Sequence, residues 1–126
     1  MIIAVDFDGT CTTHGYPQVC KDIGAERVLK KLSDSGHWLI LWTLRSGESL
    51  EEAVQWFRER GIPLYGVNNN PTQKQWTESP KVYAHMYIDD AALGTPLCMP
   101  SKNDENERPF VNWYVVEQML FPSQDD

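Results

Sequence analysis

The sequence predicts an α/β domain of three layers, in which helices cover both faces of a parallel sheet. Apolar runs at Ile2–Val5 and at residues 38–42 have the continuous hydrophobicity of strands that are buried on both faces. One stretch with helical periodicity lies between these runs, and another follows the second run. Strands that alternate with single helices form right-handed βαβ units, and such units build parallel sheets.

The first predicted helix has one apolar face. Its apolar residues recur at the i, i+3, i+4, i+7 spacing of an amphipathic helix, and they are Ala25, Val28, Leu29 and Leu32. We expect Asp22 to cap the start of this helix and Gly36 to end it.

The second predicted helix begins with a capping-box pattern, in which Glu52 follows Ser49 by three residues. Its apolar face consists of Leu50, Ala53, Val54 and Phe57. Gly61 is expected to end it. Two further short strands are predicted at residues 64–67 and at Met86–Ile88.

A last amphipathic helix completes the predicted domain, with an apolar face of Phe110, Tyr114, Val115 and Leu120. Since a chain of 126 residues supplies a single core, we expect one domain over residues 1–122 and a frayed tail at residues 123–126. Residues 68–80 form a long polar loop, and residues 100–109 form a charged loop that we expect to be mobile.

Composition and charge exclude several classes of function. The net charge of −7 and the pI of about 4.8 argue against a nucleic-acid surface, which needs patches of Lys and Arg. No apolar run is long enough to span a membrane, and the first residues resemble a strand rather than a signal peptide. The odd set of three cysteines has no CxxC pair, which favours a reducing cytoplasm, and we interpret Cys11, Cys20 and Cys98 as structural or incidental.

The strongest chemical signal is a pair of carboxylates, Asp6 and Asp8, directly after the first strand. In an extended segment, side chains two residues apart point the same way, and two like charges beside a core repel unless a cation or a proton lies between them. Gly9 allows a sharp turn and Thr10 adds a hydroxyl, so that a phosphate-handling metal site would explain this whole segment. A strand that ends in a polar turn would explain it as well.

The ends of the other strands favour the metal site. Thr43 follows the second strand, and Asp89 and Asp90 follow the fourth. Ligands of parallel sheets bind beyond the carboxyl ends of the strands, where these oxygen-bearing side chains are predicted to meet.

Taken in chain order, these motifs resemble the haloacid dehalogenase (HAD) superfamily of aspartyl-nucleophile phosphatases, which have a Rossmann-like fold. The first motif is the DxDGT segment that begins at Asp6, and the second is the strand that closes on Thr43. The third, a lysine before the last core strand, is assigned to Lys81, with Lys74 as its rival, and the fourth is the acidic pair Asp89-Asp90.

The resemblance implies a Mg²⁺-dependent phosphomonoester hydrolase. Asp6 would be the nucleophile and a metal ligand, forming an aspartyl-phosphate. Asp8 would give its backbone carbonyl to the metal and serve as general acid and then base. One of the pair Asp89 and Asp90 would bind the metal directly, with Asp90 preferred and Asp89 acting through water or as an orienting group.

The remaining roles concern the phosphate. The resemblance implies that Thr43 donates a hydrogen bond to a phosphoryl oxygen and that Lys81 balances the charge of Asp6 and the phosphate. Gly9 and Thr10 would help to bind the substrate. Arg45 either joins them or is a surface residue that pairs with Glu48 or Glu51. Other loop residues near the site are expected to be solvated rather than functional, and they are His14, Tyr16, Asn68, Asn70 and Trp76.

Neither gap between the motifs is long enough for a separate cap domain, so the resemblance implies an open, capless site. We expect a phosphorylated small molecule as substrate in preference to a macromolecule, and a second subunit could close over the site. Whether the loop at residues 68–80 contacts the substrate is open.

Three other classes compete with this interpretation. The main alternative is a regulatory module that keeps the fold and binds metal or phosphate with weak catalysis. A receiver-like phosphoacceptor domain fits poorly because its nucleophile lies on a middle strand, whereas no Asp directly follows residues 64–67 here. A sugar-nucleotide transferase with a DxD motif would need a larger domain.

Overall fold

The computed structural model describes residues 1–100 and 108–123. Its main sheet has four strands; one helix follows each of the first two strands, and a third helix lies near the end of the chain. The elements in chain order are β1 (Ile2–Val5), α1 (Ala25–Asp34), β2 (Trp38–Leu41), α2 (Gly47–Glu59), β3 (Gly66–Val67), β4 (Met86–Ile88), β5 (Leu97–Cys98), β6 (Phe110–Val111) and α3 (Trp113–Leu120).

The main sheet is entirely parallel and has the order β3-β2-β1-β4. The central strand β1 pairs Val5 with Leu41 of β2 on one side and with Ile88 of β4 on the other. The predicted α/β class and parallel sheet are therefore confirmed. Because β1, β2 and β4 end in register, the residues that follow them are brought to one edge of the sheet.

The three helices contribute to one hydrophobic core. This core joins alternate residues of β1 and β2 with the buried faces of α1, α2 and α3. Right-handed crossovers that move in the same direction across a sheet lie on the same face, which accounts for the shared position of α1 and α2. Helix α3 packs beside α1, where its Glu117 accepts a hydrogen bond from Arg27.

The expectation of α-helices on both faces is not confirmed. The connection from β3 to β4, residues 68–85, returns across the sheet and contains a 3₁₀ turn at Gln73–Gln75 but no α-helix. Within it Val82 is buried and accepts a hydrogen bond from the Tyr87 hydroxyl of β4. No helix in the described ranges is long and apolar enough to cross a membrane.

Both predicted helix caps are wrong. Helix α1 is preceded by Gly24, and the Asp22 carboxylate accepts hydrogen bonds from Trp56 and Arg60 instead. Helix α2 begins at Gly47, two residues before Ser49, whose hydroxyl donates to the Ser46 carbonyl. Asp22 does not cap α1 because its carboxylate binds side chains of and after α2. Ser49 does not cap α2 because the helix already begins before it.

The last part of the chain also differs from its prediction. Phe110 belongs to β6, and α3 starts at Trp113 after an Asn112 cap whose side chain accepts the Val115 N–H. The helix buries Trp113, Val116 and Glu117, while Tyr114 is exposed. The antiparallel pair β5-β6 was not predicted, because strands of two residues carry no periodic signal. Most of the predicted loop at residues 100–109 and of the tail lies outside the described residues.

Two predicted strands are shorter in the structure. Strand β2 ends at Leu41 rather than at residue 42, and β3 covers only Gly66–Val67. Gly61 has a φ of +68°, a left-handed conformation that favours glycine, directly after α2, as expected for a helix stop. Gly36 follows the end of α1 in the same way, with a φ of +91°.

Candidate active site

Three carboxylates meet at the carboxyl edge of the sheet. One oxygen from each of Asp6, Asp89 and Asp90 lies within 4.8 Å of the others. Asp6 continues β1, and its backbone N–H donates to the Ile88 carbonyl of β4 at 3.0 Å. The in-register ends of β1 and β4 therefore bring together residues that are more than eighty positions apart in the chain. These are three of the four predicted metal-binding residues.

The Thr10 hydroxyl lies between two members of this cluster, Asp6 and Asp90. It donates to Asp6 Oδ2 at 2.9 Å and lies 3.4 Å from Asp90 Oδ1, while it accepts the Asp90 backbone N–H at 3.0 Å. The hydroxyl thus orients the Asp6 carboxylate and links it to the backbone of Asp90. Thr10 is fully buried. It lies at the site, as predicted, and its hydroxyl contacts residues of the carboxylate cluster.

Burial and neighbouring charge both disfavour the ionised forms of these carboxylates. Burial raises the pKa of Asp6 from 3.8 to about 8, and the nearby charge of Asp89 acts in the same direction. Burial also raises the pKa of Asp89, and the charge of Asp90 adds to this. A cation bound among these oxygens would favour their ionised forms, and hard oxygen donors of this kind suit Mg²⁺.

Asp8 lies apart from the cluster, contrary to the expected pairing with Asp6. Strand β1 ends at Val5, and the chain turns through Gly9, whose φ is +78°, so that strand alternation does not extend to Asp8. The Asp8 carboxylate instead accepts two hydrogen bonds from Arg45, from Nε at 2.8 Å and from Nη2 at 2.7 Å. The metal-binding role that the resemblance implies for Asp8 concerns its backbone carbonyl, and the position of its side chain does not bear on that role.

Arg45 is a buried residue, so the alternative of a surface arginine paired with Glu48 or Glu51 is wrong. Only 2% of it is exposed. Hydrogen bonds to Asp8 raise the pKa of the Arg45 guanidinium above its ordinary value. The pair joins the loop after β2 to the loop after β1.

Thr43 lies two residues beyond the end of β2, the strand next to β1. Its backbone N–H donates to Asn68 Oδ1 at 2.7 Å, and its hydroxyl accepts the Arg45 backbone N–H at 3.1 Å. Asn68 adopts a φ of +53°, which is uncommon for a residue other than glycine. Asn68 therefore holds the Thr43 loop in place, a role that its position in a polar loop did not reveal.

Neither candidate lysine reaches the carboxylates. Lys81 is exposed, its ammonium lies 5.9 Å from the centre of the Tyr87 ring, and it forms no ion pair within 4.0 Å in the described part of the chain. Lys74 lines a polar cleft of about 480 Å³ whose walls run from Asn68 to Val82. The predicted contact between Lys81 and Asp6 is thus absent from this arrangement.

His14 lies at the site, so the expectation that it is a solvated loop residue is wrong. Its Nε2 lies 2.9 Å from Asp90 Oδ2, and the ring covers Gly9 so closely that a Cβ there would lie 2.0 Å from Nε2. Gly9 is therefore required both for its backbone conformation and for this close approach. No local pattern marks His14, because its partner is 76 residues away.

The segment before α3 supports the turn after β1 from behind. The Trp113 indole N–H donates to the Thr10 carbonyl at 2.6 Å, and the Val111 N–H donates to the Gly9 carbonyl at 2.9 Å. The Cys11 thiol is fully buried and donates to the Asp6 carbonyl, and burial holds its pKa well above the usual range. The thiol is therefore part of the packing behind the turn after β1.

The fold and this cluster define an α/β protein with an acidic site at the carboxyl edge of a parallel sheet. No family model matches the chain, and no curated protein matches it. Among solved structures it is similar to a conserved protein of Bacteroides thetaiotaomicron, with 36% identity and a TM-score of 0.75 over 95% of this chain and 88% of that chain. The chain belongs to the same family as that conserved protein. This relationship defines the family and the fold and assigns no activity.

Proposed function

We propose that this protein is a Mg²⁺-dependent phosphomonoester hydrolase that acts through an aspartyl-phosphate on Asp6. The observation that supports it best is the convergence of Asp6, Asp89 and Asp90 within 4.8 Å at the ligand-binding edge of the sheet. The proposal includes a capless Rossmann-like domain of the HAD type, in which the connection at residues 68–85 provides the third layer. The motif order of the sequence is the second line of support.

The donor set suits a hard divalent cation. Carboxylates of Asp6, Asp89 and Asp90 would hold Mg²⁺, with the Asp8 backbone carbonyl as a further ligand implied by the resemblance. Burial and the charge of Asp89 raise the pKa of Asp6, and a cation at this position would favour the ionised form that acts as nucleophile. When bound, Mg²⁺ would neutralise charge on the phosphoryl oxygens.

The proposed reaction has two displacement steps at phosphorus. An Asp6 oxygen attacks phosphorus, the bond to the leaving oxygen breaks, and Asp8 gives that oxygen a proton. Asp8 then takes a proton from water, the water oxygen attacks phosphorus, and the Asp6 carboxylate is released with inorganic phosphate. The Thr43 hydroxyl, which already accepts the Arg45 N–H, keeps its own proton available for a phosphoryl oxygen.

A regulatory module that binds metal or phosphate without efficient turnover is the second candidate. The position of Lys81 favours it, because its ammonium lies over Tyr87 and forms no ion pair with the site carboxylates in the described residues. Catalysis in the first proposal would need Lys81 or Lys74 to approach when a phosphate binds, so that one of them balances the added negative charge.

Phosphate release from a panel of phosphate esters tests the two candidates. The hydrolase proposal predicts Mg²⁺-dependent turnover that EDTA removes and that Asp6→Asn abolishes. Asp34→Asn is the matched control, since Asp34 is an exposed residue at the end of α1, and it is expected to leave turnover unchanged. Turnover that persists in Asp6→Asn would contradict the mechanism. Tight Mg²⁺ binding without hydrolysis of any ester, aryl phosphates included, would favour the regulatory module.

A further inference from the structure

Arg45 is buried to a degree that is unusual for an arginine. Its side chain has no exposed surface, and it is the largest of the fully buried side chains in the described residues. A buried charge is costly unless it is paired and hydrogen-bonded. The hydrogen-bond partners of Arg45 therefore decide whether its guanidinium can also bind a substrate.

All five N–H donors of the guanidinium are occupied by the protein. Two go to Asp8, and the others go to the carbonyls of Pro17 at 2.9 Å, Gln18 at 2.8 Å and Ser49 at 3.1 Å. The guanidinium also lies 5.3 Å from the centre of the Tyr16 ring. No donor remains for a phosphoryl oxygen, so Arg45 contacts substrate only if one of these bonds breaks. The substrate-binding role expected from the sequence does not fit this arrangement.

The two bonds to Asp8 fix the plane and direction of its carboxylate. The Asp8 side chain is 20% exposed, whereas that of Arg45 is fully covered, so the carboxylate faces solvent on one side and the arginine on the other. We propose that Arg45 is the positioning residue for Asp8, holding its carboxylate outside the cluster of Asp6, Asp89 and Asp90 and open to the leaving group. This inference rests on the proposed phosphatase reaction, in which Asp8 is the general acid and base.

A second arginine provides a matched control. Arg60 donates from Nη2 to both carboxylate oxygens of Asp22, at 3.1 and 3.0 Å, and lies 4.2 Å from the centre of the Trp56 ring. It resembles Arg45 in having an aspartate partner and an aromatic neighbour. It makes no contact with the site carboxylates, so its loss reports only the structural cost of removing such a pair.

The dependence of kcat on the leaving group separates positioning from a structural role. An alkyl phosphate needs a proton on its leaving oxygen, whereas p-nitrophenyl phosphate has a good leaving group and needs little help. General acid catalysis contributes about 100-fold or more. We therefore expect Arg45→Lys to lower kcat about 10- to 100-fold for the alkyl phosphate and less than about 3-fold for the aryl phosphate. KM and inhibition by inorganic phosphate should not change, because Arg45 does not contact the phosphate.

The same comparison in an Asp8→Asn background completes the test. If Arg45 acts through Asp8, adding Arg45→Lys to Asp8→Asn lowers alkyl-phosphate turnover no further. The control Arg60→Lys should change kcat only slightly, and by the same factor for both esters. A uniform loss for both esters, an additive loss in the double variant, or weaker inhibition by phosphate would overturn the inference.

If Arg45→Lys does not fold, Arg45→Gln serves in the same cycle. A wild-type protein that hydrolyses neither ester overturns the phosphatase proposal and this inference together, whereas wild-type turnover with a uniform loss overturns this inference alone.

Discussion

The raised pKa of Asp6 predicts that the metal-free protein loses stability as the pH rises. Folded Asp6 holds its proton up to about pH 8, whereas the unfolded chain releases it near the ordinary pKa of 3.8. Between these two values the folded state binds more protons than the unfolded state, so the free energy of unfolding falls with rising pH. Above the folded pKa the loss is complete and the curve levels off.

Asp6→Asn should remove this dependence, because asparagine has the shape of the protonated carboxyl and no charge to expose. From about pH 5 to about pH 8 the wild-type protein should lose about 4 kcal/mol relative to Asp6→Asn, at about 1.36 kcal/mol per pKa unit. This is a large share of the stability of a typical domain, which is about 10 kcal/mol. Urea denaturation of both proteins in EDTA across this pH range measures the difference.

The exposed Asp34→Asn variant, which also removes one carboxylate, should follow the wild-type curve. If the stabilities of wild type and Asp6→Asn keep a constant difference across the range, the raised pKa of Asp6 is refuted. Added Mg²⁺ should raise the stability of the wild type at about pH 8 more than that of Asp6→Asn, since a bound ligand stabilises the folded state.

Two substitutions and one chemical modification test the surroundings of the cluster. Thr10→Val removes the hydroxyl between Asp6 and Asp90, and calorimetry should show Mg²⁺ binding weakened by about 10- to 100-fold; unchanged binding would contradict the role of that hydroxyl. Trp113→Phe leaves the buried Thr10 carbonyl without its donor and should cost about 1–3 kcal/mol in urea denaturation, and no loss would mean that the bond is unimportant. In the folded protein an aromatic disulfide reagent should modify the other two cysteines and spare Cys11, whose buried thiol has a raised pKa; equal rates for all three would argue against its burial.

The parts of the fold that the sequence predicted depend on local patterns. Strands β1 and β4 match their predicted bounds because each is a short apolar run next to acidic residues. The meeting of Asp6 with Asp89 and Asp90 followed from the rule that parallel strands end at one edge. These inferences needed no knowledge of side-chain partners.

The errors concern residues whose partners lie far along the chain. Asp8 and Arg45 are 37 residues apart, and no periodic pattern links them. Asp22 matched a helix cap but is used by Arg60, which follows the next helix and lies 38 residues away. The cap of α3, in contrast, could have been predicted from the sequence. Asn112 is a residue type that favours the N-cap position, and it would have placed the helix start correctly.

The position of Lys81 shows a different limit. Its spacing before β4 matched the third motif, yet the connection from β3 places its ammonium over Tyr87. Spacing along the chain says where a residue occurs relative to a strand and not which way its side chain points. The same limit applies to His14, which a loop of unremarkable sequence brings to Asp90.

Trapping the covalent intermediate tests the central claim that Asp6 is a phosphorylated nucleophile. Borohydride reduces an aspartyl-phosphate to homoserine, which mass spectrometry of the N-terminal peptide can assign to a single residue. The proposal predicts homoserine at position 6 when the protein is quenched during turnover of an aryl phosphate with Mg²⁺, and none when EDTA is present. Phosphate release under the same conditions without any reduced residue at position 6 would contradict it.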